Sequence, residues 1–184
     1  MSFESIPDTL DHLRQEWAVA KRVGEDPNDQ YAHLLACSIR PRLRTGRKVD
    51  LPAGVTVPAE VLEFWRTCDS AELFKDVVHG QWGLRLLSDQ DAVDATRKYS
   101  AEDFRSAFGD FVVGSFIGDG ELLIVRADAR ATDFGKIIVV DEIHKRVNWL
   151  IAAENFRNFL TQYARRMGRK YWVDEPVYVG GKFS

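Results

Sequence analysis

Four histidines and two cysteines, with scattered carboxylates, are the residues of this 184-residue chain that could hold a metal or move a proton. His12, His33, His79 and His144 stand far apart, none at i, i+4 from another and none beside a cysteine pair, so the spacing of a zinc site is missing. His12 and His33 read as boundary residues of helix faces, while His79, in VVHGQWG beside a glycine turn, is the histidine best placed for a functional contact. No serine, cysteine or threonine sits in a GxSxG turn. Cys68 falls at the expected C-terminal end of a helix, where the dipole opposes a thiolate. Gly118-Asp119-Gly120 lacks the GxxxxGK[ST] pattern and joins strand to strand, which makes it a hairpin turn and not a phosphate cradle. Glu102-Asp103 and Asp141-Glu142 are neighbours in sequence, not the facing carboxylate pair of glycoside hydrolysis. The expectation is a non-enzymatic chain without catalytic residues, metal or coenzyme.

Charge and composition narrow the class. Twenty-five basic and 28 acidic side chains give a net charge of −3, so no global positive field draws the chain to nucleic acid or an acidic membrane. An apolar share of 45% suits one globular domain with an added piece, and no apolar run approaches the ~20 residues that span a bilayer. The N-terminus MSFESIPDTL lacks the basic start and greasy core of a secretory signal, and two cysteines are too few for a disulfide scaffold. A cytoplasmic protein is expected, with Cys37 and Cys68 as small buried apolar residues. The strip Arg40 to Lys48, with Arg40, Arg42, Arg44, Arg47 and Lys48, could touch ~3–5 phosphates. It carries no aromatic residue to stack on bases, and its flanks are acidic: 3 basic against 7 acidic residues over 1–39, and 5 against 11 over 49–104. It reads as an intramolecular solvated face or a strip that docks a partner. Arg165, Arg166, Arg169 and Lys170 read as cations favoured at a helix C-terminus.

The apolar pattern sets out the elements. Leu10, Leu13, Trp17 and Ala20 make one helical stripe after Pro7 and Asp8, stopped by Gly24, and Tyr31, Leu34, Leu35 and Ile39 predict a second helix that pairs with it. Arg40 to Pro58 is the linker. Pro58 opens a short helix to about Cys68. Phe74–Val78 and Trp82–Leu87 read as strands, Ser88 as the N-cap of an amphipathic helix through Tyr99, and Phe111–Ile117 with Glu121–Arg126 as a hairpin about Gly118 to Gly120. Lys136–Asp141 and Val147–Ile151 are further strands, and a last helix runs from about Ala153 to Met167 before Gly168. The absence of a repeating strand-helix-strand alternation implies an α+β fold, an antiparallel sheet flanked by helices. Residues 1–57 form a helical pair with its basic linker, and 58–184 the main domain.

The stretches VLEFWRTCDSAELFKDVVHGQWGLRLLS, GDFVVGSFIGDGELLIV, GKIIVVD and NFRNFLTQYARRMGRKYW resemble the SUKH superfamily over about residues 58 to 172. That group includes the yeast cell-wall assembly regulator and bacterial toxin-immunity proteins. Phe74, Gly80, Trp82, Gly83 and Leu84 carry the likeness, followed by Gly109-Asp110 and Asp119-Gly120. The resemblance implies an α+β domain that binds protein partners, above all a cognate toxin, and brings no catalytic motif. Trp82 is expected to anchor the sheet to a helix, and Gly80 and Gly83 to permit a tight lead into the strand.

A module of this kind acts by covering its partner. The segment Asp69 to Asp103 holds eight acidic residues against four basic ones, a field that attracts a basic partner such as a nuclease. Asp69, Glu72, Asp76, Asp91 and Asp94 are the candidate partner-facing residues, Asp91 and Asp94 sharing a helix face. Two alternatives stand beside this reading: a small hydrolase or nucleotide-binding enzyme with a cleft near His79 and Trp82, and a regulatory scaffold that binds through the Arg40 to Lys48 strip.

Overall fold

A computed structural model describes residues 5–24, 33–42, 51–141 and 143–181. Its elements run in the order α1 (Ile6–Glu16), β1 (Lys21–Val23), β2 (His33–Pro41), α2 (Ala59–Thr67), β3 (Cys68–Asp76), β4 (Leu84–Leu86), α3 (Asp89–Glu102), β5 (Asp110–Phe116), β6 (Leu122–Arg126), β7 (Ile137–Val140), β8 (Leu150–Ala153) and α4 (Phe156–Arg165). The eight strands lie side by side in chain order, every neighbouring pair antiparallel. The fold is α+β, as the pattern of strands and helices implies.

The second expected helix is a strand. Leu35 and Cys37 are buried two apart, a spacing as compatible with a strand as the i, i+3, i+4 stripe is with a helix. Pairing with β3 decides between them, because β2 lies against it from Leu35↔Asp76 to Pro41↔Cys68. Residues 1–57 therefore do not hold the expected helical pair: α1 is followed by β1 and β2, which belong to the same sheet as the other strands. The first helix also ends earlier than its stripe suggests, with Trp17 as C-cap and Ala20 beyond it.

The starts of α1, α3 and α4 each carry a side-chain cap. Ser5 accepts from Asp8 N at 3.2 Å, Ser88 from Asp91 N at 3.2 Å and Asn155 from Asn158 N at 2.9 Å, each satisfying a donor that the first helical turn leaves unpaired. Gly168, at φ +82, ends α4, and a Cβ there would stand 2.6 Å from Phe74 Cβ. Phe74 itself sits at φ 50, with its N–H donating to Cys37 Sγ at 3.2 Å where the β2–β3 register shifts. That bulge turns two consecutive residues, Leu73 and Phe74, into the core.

Alternate residues of β5, β6 and β7 feed two clusters on opposite faces of the sheet. Phe111, Val113, Leu123, Val125, Ile137 and Val139 join the larger core with α1, α2 and α4. Val112, Ile124, Ile138 and Val140 join Tyr99 and Trp149 in the smaller one. Beyond Leu86 the place beside β5 is taken by α3, where Thr96 Oγ1 accepts from Val112 N at 2.9 Å. The outer edge of β8 is capped by the C-terminal segment, Ile151 N donating to Val177 O at 2.8 Å and Val179 N to Trp149 O at 2.9 Å. Among the described residues no helix is long and apolar enough to cross a membrane.

Candidate functional site

Helix α3 presents Asp91, Ala95, Lys98 and Glu102 at successive intervals of four, three and four, which places them on one face. Each end of that stripe opens into a groove. At the N-terminal end Asp91 borders a polar groove of about 240 Å³ with Ser38, Arg40, Ser70, Glu72 and Arg85. At the other end Ala95, Lys98 and Glu102 border one of about 620 Å³. Its apolar wall comes from Val112, Leu122 and Val140 of the sheet, and its far side from Ile143, His144 and Lys145. Phe104 is 97% exposed and Ile143 88% exposed at this second groove, although water is the worse solvent for both. A third groove, of about 540 Å³, lies on the opposite side of α3, between Arg97, Ser100 and Ala101 and the Pro52–Val55 turn.

A buried charge network fixes the 620 Å³ groove's shape. Asp110, fully buried at the start of β5, accepts from Arg126 and from Arg146, the latter through Nη1 at 2.5 Å and Nη2 at 2.9 Å. Arg105 donates to Asp103 at 2.7 Å, to Asp141 O at 3.0 Å and to His144 O at 2.6 Å, so it ties the end of α3 to the turn after β7. The guanidinium groups of Arg105 and Arg146 lie 5.3 and 5.1 Å from the ring centre of buried Trp149. Arg105 beside Asp103 holds that carboxyl below its ordinary range. Asp141 is also held low: burial pushes it up, but the backbone N–H and ring of His144 and the N–H of Ile143 outweigh that.

The five acidic residues expected to form one edge are dispersed. Asp69 and Asp76 stand at opposite ends of β3, seven residues or about 23 Å apart along a strand. Asp69 is exposed. Asp76 is buried, its Oδ1 accepting from Val78 N at 3.0 Å and its Oδ2 3.5 Å from His33 Nδ1, so it organises the turn after β3 and faces no partner. Glu72 accepts from Lys75 at 2.9 Å and Arg85 at 3.1 Å. Asp91 is exposed and receives the Ser88 hydroxyl at 2.7 Å; Asp94 is exposed, with Gln90 at 3.2 Å and Arg97 at 3.4 Å. Only Glu72 and Asp91 meet in one groove.

The glycine-tryptophan stretch does structural work. Gly80 and Gly83 have φ +67 and +130, and Leu84 is buried. A Cβ on Gly83 would stand 2.8 Å from Lys75 Cα. Trp82 is half-buried against the larger core, and its ring also stacks on His33 at 6.1 Å, with Lys170 Nζ 5.9 Å from its ring centre. Lys170 in turn binds Asp119 at 2.6 Å and also Glu121, pinning the β5–β6 hairpin. His79 is exposed in the turn and lines none of the three grooves, nor does Trp82. Cys37 and Cys68 are buried free thiols, each pushed up to about 12 by burial.

Of the basic strip, Arg40 and Arg42 fall within the described residues, and Arg44, Arg47 and Lys48 outside them. Arg42 is used internally, donating to Trp65 O and to Asp89 at 2.9 Å. Sequence reasoning missed Phe104, Ile143 and Tyr99 as site residues. A signal for the first was present, an aromatic residue in the polar stretch AEDFRSAFGD beyond the end of the α3 stripe. Among the described residues, no three or more His, Cys, Asp or Glu converge as a metal site. Comparison with protein-family models, with curated proteins and with solved structures finds no match.

Proposed function

We propose that the chain is a non-enzymatic protein-binding module of the toxin-immunity type that covers its partner with the exposed stripe of α3 and the two grooves at its ends. The observation that carries this reading is the exposure of Phe104 at 97% and Ile143 at 88% on a groove whose backing is fixed by the Asp110 charge network. Large apolar side chains exposed at the rim of a concave surface have the composition of an interface core. Asp91 and Asp94, exposed further along the same helix, supply the charge that speeds encounter with a basic partner such as a nuclease. The SUKH resemblance supplies the partner class.

The test begins with the reading frame beside this gene, which on this reading encodes a large secreted protein ending in a toxic module. That module expressed alone arrests growth, and co-expression of this chain restores it. Phe104→Glu with Ile143→Glu abolishes the rescue and leaves thermal unfolding unchanged. Absence of such a neighbour, no rescue by the wild-type chain, or rescue undiminished in the double variant refutes the reading.

A further inference from the structure

We infer that the groove between α3 and Ile143, His144 and Lys145 anchors a peptide segment of a protein partner in which a large apolar side chain lies next to an acidic residue. At about 620 Å³ the groove falls within the ~300–1,000 Å³ of ordinary ligand sites. Val112, Leu122 and Val140 give it an apolar wall.

The polar groups around it are not balanced. Asp103 is committed to Arg105, and Glu102 faces Lys98 at 3.9 Å. Lys145 has no ion pair among the described residues, and the Tyr99 hydroxyl, on a side chain only 6% exposed, has no hydrogen-bond partner among them. A buried hydroxyl left unpaired is destabilising, a loss that an incoming acceptor recovers. Burial and the nearby charges of Asp110 and Asp103 raise the Tyr99 pKa, so the hydroxyl is present as a donor. A donor and a cation without an ion pair among the described residues, at one groove, suit a carboxylate. Phe104 and Ile143 stand exposed at the mouth of the groove, where a polypeptide crossing it covers both.

The inference rests on the protein-binding reading, and its test is independent of growth rescue. The full chain is titrated, by nuclear magnetic resonance, with capped hexapeptides carrying one Phe, Leu, Trp or Ile flanked by Glu, Ser or Lys. Glu-flanked peptides are expected to bind with Kd below about 1 mM and Lys-flanked ones about tenfold more weakly. Tyr99→Phe, which removes one oxygen, weakens binding about fivefold without lowering the unfolding midpoint. Ala95→Trp, which fills the groove from α3, abolishes it. No binding by any peptide, equal binding of the Glu and Lys series, or N-acetylphenylalanine binding as tightly as the best hexapeptide would overturn the site. A chain that restores growth but binds no peptide loses this site alone; one that binds peptides without restoring growth loses the immunity reading alone.

Discussion

Arg146 grips Asp110 at two points, Nη1 at 2.5 Å from one carboxylate oxygen and Nη2 at 2.9 Å from the other. The pair joins the start of β5 to the short 3-10 turn Arg146–Asn148 before β8, while Arg126, at the end of β6, reaches the same carboxylate and also Asp133 at 2.8 Å. One buried anion thus organises three segments, and with Arg105 it fixes the turn that carries Ile143 and Lys145.

Removing that anion strands two cations. Arg126 is buried and Arg146 largely so, and breaking a buried pair by deleting one partner costs about 3–5 kcal/mol. Asp110→Ala is expected to lower stability by that amount, read from the urea midpoint at constant slope. A loss below about 1 kcal/mol would mean that Asp133 and water replace the lost carboxylate.

Acid should loosen this region and the turn after β3. Asp103 is lowered by its bond to Arg105, Asp141 by His144 and Ile143 against its burial, and Asp76 by the N–H groups of Val78 and His79 and the ring of His33 against its burial, all from an ordinary 3.8. Carboxyls depressed in the folded state stabilise it fully above their ordinary value, and that stability is lost as pH falls through the folded values. Stability is therefore expected to decline progressively below about pH 4. Asp103→Asn should be less stable than wild type at neutral pH, the two curves converging near pH 2. Parallel curves would exclude Asp103 from the acid transition.

Two glycines in one turn separate backbone strain from crowding. Gly80, at φ +67, has open space where a Cβ would go, whereas at Gly83, with φ +130, a Cβ would meet Lys75 Cα at 2.8 Å. Gly80→Ala is expected to cost about 1 kcal/mol from conformation alone, and Gly83→Ala about 3 kcal/mol because neighbouring backbone must also move. Thermal unfolding of the two variants side by side checks the ranking, and equal losses would contradict it.

The elements most readable in the sequence carried local signals: Ser88 capping α3, the Gly118 to Gly120 hairpin, and the stripe of Phe156, Phe159, Leu160 and Tyr163 on α4. Residues 33–41 were misread because Leu35 and Ile39 fit a helix as well as a strand, and only pairing with β3 decides. The charge network was hidden for a related reason. Asp110, Arg126 and Arg146 are distant in sequence, and nothing local to any one of them announces that they converge. Sequence density suggests one acidic edge because it does not reveal which carboxylates fold inward, as Asp76 does, or bond to the capping serine of their own helix, as Asp91 does.

That second role separates Asp91 from Asp94 as probes of partner binding. Asp91 takes the Ser88 hydroxyl in the first turn of α3, where an anion is favoured by the helix dipole, while Asp94 makes only exposed contacts with Gln90 and Arg97. Asp91→Lys is expected to lower stability by about 1 kcal/mol, and Asp94→Lys by less than about 0.5 kcal/mol. The clean test of charge steering is therefore Asp94→Lys, measured against the toxic module that the proposed immunity role requires. Association should slow and its dependence on salt flatten, with dissociation little changed, because an exposed charge acts chiefly on encounter. An association rate and salt slope equal to wild type would remove Asp94 from the docking face and confine partner contact to Phe104, Ile143 and the groove between them.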